Sequence, residues 1–67
     1  MQAKLTFRER PYGYLATAGD HSYVISFNSI DYDVTHYWHH NPCGQLLDHA
    51  YDFAGAAAIA RKHFVTF

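Results

Sequence analysis

The stretch Ile30-Asp31-Tyr32-Asp33-Val34-Thr35-His36-Tyr37-Trp38-His39-His40 places Ile, Tyr, Val, His, Trp and His at even positions and Asp, Asp, Thr, Tyr and His at odd ones. Period-two alternation rich in β-branched and aromatic residues predicts a half-buried strand. The even face carries the only Trp of the chain and is expected against a core, with the odd face toward solvent. Three of the six histidines and two of the aspartates lie here, so fold and function converge on this segment.

Upstream, residues 3–8 set Ala3, Leu5 and Phe7 against Lys4, Thr6 and Arg8, the pattern of a first strand with one wet face. Glu9-Arg10-Pro11-Tyr12-Gly13 supplies Pro and Gly and predicts a turn. Tyr14–Ala18 reads as a short second strand closed by Gly19-Asp20, and Tyr23–Phe27 as a third that turns at Asn28-Ser29. Downstream, Asn41-Pro42-Cys43-Gly44 predicts another turn, since Pro is excluded from a central ladder and Gly tolerates positive φ. Gln45–Ala50 fits either a return strand or the first turn of a helix, and an extended segment is favoured. From Asp52, a good N-cap residue, Phe53, Ala56, Ala57, Ala60 and Phe64 recur at helical spacing, with Ile59 and His63 on the flank. Arg61, Lys62 and His63 then fall in the last turn, where positive charge complements the helix dipole. Trp38, Phe53, Ala57, Ala60 and Phe64 are read as core. The class predicted is α+β: one domain over residues 1–67, a small antiparallel sheet of three to five strands covered on one face by a single C-terminal helix.

A 67-residue chain buries only about 60% of its unfolded surface and folds with little margin unless a disulfide, a metal or a partner helps. The single cysteine, Cys43, excludes an internal disulfide and fits a reducing compartment. Aromatics make up 18% of the residues, enough to build a small core. Met1–Arg8 is interrupted by charge, and no apolar run approaches the length of a spanning helix, so a cytoplasmic protein off the membrane is expected.

Three constellations bear on chemistry. His36, His40, Cys43 and His49 are the ligand types of zinc, but they lack the paired spacing of a zinc module, and the expectation is no metal and no cofactor. Catalysis is not expected either, because the chain has little room for a cleft and shows no phosphate loop, nucleophile elbow or metalloprotease signature. The charge distribution says more. All five basic residues, Lys4, Arg8, Arg10, Arg61 and Lys62, lie in the first ten or last seven positions, whereas Pro11–Ala60 holds five Asp and no Lys or Arg, a formal charge of −5. The bland reading is that these carboxylates keep a small domain soluble. The sharper one groups Asp31 and Asp33 with Asp20 and Asp48 from neighbouring turns, beside Tyr37 and His39, into an acidic aromatic sheet face. Such a face attracts Arg and Lys on a partner and repels nucleic-acid phosphate. Direct nucleic-acid binding is therefore disfavoured, though it stands with a zinc-stabilised regulatory domain as the alternative.

A short chain with a few strands, one Ala-rich helix, the Asn41-Pro42-Cys43-Gly44 turn and an acidic aromatic middle resembles the small phage-encoded inhibitors of bacterial defence, of which anti-CRISPR proteins are the type case. The resemblance implies binding, in the host cytoplasm, to a protein or ribonucleoprotein complex with a basic surface, through Asp20, Asp31, Asp33, Tyr37, His39 and Asp48. A homodimer, with exposed tyrosines as the contact, is the other partner expectation.

Overall fold

A computed structural model describes residues 5–38 and 41–65. Five strands, β1 (Arg8–Arg10), β2 (Gly13–Ala18), β3 (His21–Phe27), β4 (Tyr32–Trp38) and β5 (Asn41–Ala50), precede one helix, α1 (Phe53–Phe64). The strands pair antiparallel in chain order, and α1 packs across one face of the meander. This is the α+β class expected.

The alternation in β3 and β4 decides which residues meet the helix. Tyr23, Ile25 and Val34 are fully buried and His36 nearly so, while the residues between them face away. From the helix, Ala56, Ala57 and Ala60 close the core, joined by Ala16 and Leu5. Small side chains on that stripe bring the helix axis close to the sheet, and aromatic anchors sit at its ends. Phe53 lies edge-on to Phe7 at 5.8 Å and against Tyr14 at 4.4 Å, and Phe64 reaches His21 and Tyr23. Asp52 caps the helix, its carboxylate accepting from the Gly55 N–H at 2.7 Å, and the basic last turn is as predicted.

Several expectations are corrected. The first strand is Arg8–Arg10, and residues 5–7 of the expected strand are not in it, while residues 3 and 4 lie outside the described residues. The chain turns only at Pro11-Tyr12, because Gly13 at φ +141° lets the backbone run so close to β3 that a Cβ there would lie 2.1 Å from the Ile25 carbonyl oxygen. Asn41–Gly44 belongs to β5 instead of a turn, and residues 45–50 continue it. β5 is an edge strand, the place in a sheet where proline is tolerated. Gly44, at φ +79°, serves an irregularity in the β4–β5 register. Finally, Trp38 is 40% exposed, because it stands at the end of β4 past the residues that α1 covers, stacked on His21 with ring centroids 5.7 Å apart. Ile30 lies in the β3–β4 turn and is also exposed.

Candidate functional site

The face of the sheet away from α1 follows from the register. Arg8 pairs with Leu15, Leu15 with Val24, Val24 with Thr35 and Thr35 with Leu46, so one row of side chains crosses all five strands. Uncovered antiparallel faces are ordinarily polar, yet three of these five residues are aliphatic and Leu46 is 53% exposed. Tyr37 stands on the same face with its ring against Gly44, where a Cβ would lie 2.5 Å from Cε1. Ser22, Ser26 and Thr17 complete the surroundings.

The next row toward the β3–β4 turn carries charge. Arg10 pairs with Gly13 at one edge, and Ser26 pairs with Asp33, which pairs with His49, at the other. Asn28 builds this acidic corner. Its side-chain oxygen accepts from the backbone N–H of Ile30 (3.0 Å) and Asp31 (2.9 Å), while its Nδ2 donates to Asp31 and Asp33 at 2.7 Å each. That Asx turn forces Ser29 to φ +82° and aims both carboxylates to the same side. His49 Nδ1 lies 2.6 Å from Asp33 Oδ1 and 3.7 Å from Asp31 Oδ1. Among the described residues, Asp31, Asp33 and His49 bring three ligand-type atoms within 4.8 Å of one another. Asn28 and His49 already engage these oxygens.

The grouping of carboxylates expected from sequence is only half realised. Asp31, Asp33 and Tyr37 share the open face. Asp20 sits in the β2–β3 turn at the other end of the sheet, roughly 20 Å away at about 3.4 Å per residue, because successive hairpins turn at opposite ends. Asp48 pairs with Val34 and lines a groove of about 370 Å³ on the helix side with Leu47, Ile59, Lys62 and His63. His39 lies outside the described residues. The zinc set is likewise divided: His36 is buried under the helix, His49 is on the open face, Cys43 is exposed and His40 is not described. His36 and His49 on opposite faces cannot share one ion.

Beneath the helix's last turn is a cluster that the sequence reading did not assemble. His21 Nδ1 and His36 Nε2 share a hydrogen bond at 2.9 Å, Tyr23 Oη and His63 Nδ1 another at 2.9 Å, and the His36 and His63 rings are 4.7 Å apart. Burial, with His63 and His21 nearby, pushes the His36 pKa down; burial and His21 do the same for His63. Burial raises the Tyr23 hydroxyl to about 12. Burial thus favours the neutral forms of His36, His63 and Tyr23 at pH 7, and they pack as a polar cluster beneath α1. No helix among the described residues is long and apolar enough to cross a membrane. Searches against protein-family models, curated proteins and solved structures returned no match.

Proposed function

We propose that this chain is a non-enzymatic protein-interaction module that works through the open face of its sheet. The observation that carries this reading is the in-register row Leu15–Val24–Thr35–Leu46, on the face that no described element covers, beside a preorganised acidic corner of Asp31 and Asp33. An apolar strip supplies buried area and a fixed pair of carboxylates supplies orientation, the division of labour found in interfaces. The partner chemistry is thus an apolar patch flanked by Arg or Lys. A phosphate backbone fits poorly, since Arg8 and Arg10 sit on one sheet edge and Arg61 and Lys62 on the helix, with no continuous basic stripe among the described residues.

The narrower reading is an inhibitor that occupies the basic groove of a bacterial defence complex. Its support is the short chain and the acid-rich, aromatic middle. Co-expression with a defence effector, followed by affinity capture and a phage-protection assay, tests it. The wild type is expected to co-purify and to block interference, and Asp31→Lys/Asp33→Lys to do neither. Unchanged capture and inhibition by that double variant would remove the acidic corner from the mechanism.

A further inference from the structure

The open face is complementary to itself. Its acidic end, Asp31 and Asp33, lies over β4, and its basic end, Arg8 and Arg10, lies on β1, with the apolar strip between them. No ion pair to Arg8 or Arg10 is present among the described residues, and both side chains are exposed. Arg10 and Asp33 also occupy the same row. Arg10 opposes Gly13, and one residue beyond the Tyr14–Ile25 pair Gly13 comes against Ser26, which opposes Asp33. A two-fold axis parallel to the central strand β3 exchanges the two edges and keeps each row at its own height. It therefore sets β1 of one copy over β5 of the other and β2 over β4, so Arg10 stands over His49 and one strand spacing, about 4.8 Å, from Asp33, within reach of its side chain, and the reverse, while the strips Leu15–Val24–Leu46 meet in the middle.

We propose that a second copy of this chain occupies the open face, forming a face-to-face two-fold dimer in which two five-stranded sheets make a sandwich with a helix on each outer side. The inference rests on the reading of this face as a docking surface and names its occupant. Aligned sheet packing inclines the strands by about 30°, an offset that long arginine side chains span. With strands about 4.8 Å apart and roughly six residues long, each face measures about 20 Å by 20 Å. Two such faces remove on the order of 1,000 Å² from water, the lower bound of a specific interface, so the dimer is expected in the micromolar range. A self-complementary patch of this kind is what an isologous interface requires.

Sedimentation velocity on the full chain from about 1 to 300 µM, with circular dichroism to verify folding, tests the proposal. The mass is expected to rise from 7.7 kDa toward twice that value. Arg10→Glu and Asp33→Arg each place like charges across the axis twice and should weaken association about ten-fold or more. In an equal mixture of the two variants, the introduced carboxylate of one copy meets the introduced guanidinium of the other. The second contact then keeps its native Arg10 and Asp33, so a heterodimer should form. Should Asp33→Arg disturb the turn, in which Asn28 holds Asp31 equally, Leu46→Asp tests the strip from outside it. A chain that stays monomeric at about 300 µM overturns the proposal, as does a dimer indifferent to these changes. If the monomeric chain still loses a captured partner in Asp31→Lys/Asp33→Lys, the second copy is excluded and the docking face stands.

Discussion

Two residues hold more of this architecture than their size suggests. Gly13 combines a positive φ with an approach to Ile25 that no side chain survives, so Gly13→Ala should cost about 2–3 kcal/mol and release β1 from the sheet. A drop in the urea midpoint, with loss of amide protection at Arg8 and Arg10, checks this. Asn28 satisfies two backbone donors and two carboxylates at once. Asn28→Ala should lose about 1–2 kcal/mol and let Asp31 and Asp33 separate, visible as a displacement of the His49 ring resonances. At this scale the sequence was partly legible. The Asn28-Ser29 turn and the outward Asp31 and Asp33 follow from local chemistry and period two. The partnership of Asp33 with His49 does not, because it depends on a β4–β5 register shifted by irregularities at Val34/Thr35 and His36/Trp38. Trp38 shows the complementary failure: alternation assigns a side chain to a face but not to the part of that face a 12-residue helix reaches.

Among the elements, α1 was the most legible, since capping, stripe and basic last turn are all local signals. Its close seat on the sheet makes Ala57→Leu a test of packing. About 1–3 kcal/mol should be lost to overpacking, read from the thermal midpoint, whereas a gain would mean that the helix stands off the sheet. The histidine cluster below its last turn gives a pH dependence with a definite sign. His36 is faced by His21 and Tyr23 from β3 and by His63 from α1, and pairs with Gln45 of β5; Arg61 and Lys62 add positive charge to the helix end. The folded-state pKa values of His36 and His63 lie below the unfolded value of about 6.5, so the unfolded chain binds more protons between the two. Stability from this cluster is present above about pH 6.5 and is lost as pH falls through the folded values. Urea midpoints should fall between about pH 7.5 and 5, and His36→Phe should flatten that slope. β5 was the least legible element. A Pro-Cys-Gly run reads locally as a turn, and only its position at the sheet edge makes it a strand.

For the whole molecule, sheet and single helix were foreseeable from the switch between period two and period 3.6, whereas the division of charge was not. A carboxylate count over Pro11–Ala60 cannot show that Asp20 and Asp31 turn at opposite ends, or that Asp48 looks toward the helix. What folding produces is a face with an apolar centre and opposite charges at its two ends, in place of a uniformly acidic one. Added salt should therefore weaken association through this face only modestly, because the strip contributes area that salt does not screen. The most direct measurement is an amide NMR dilution series on the full chain. Concentration-dependent shifts should be confined to Leu15, Val24, Thr35, Tyr37, Leu46 and the Arg10 and Asp33 amides, with α1 unmoved. Shifts centred on Leu47, Ile59, Lys62 and His63, or none across the series, would contradict the account.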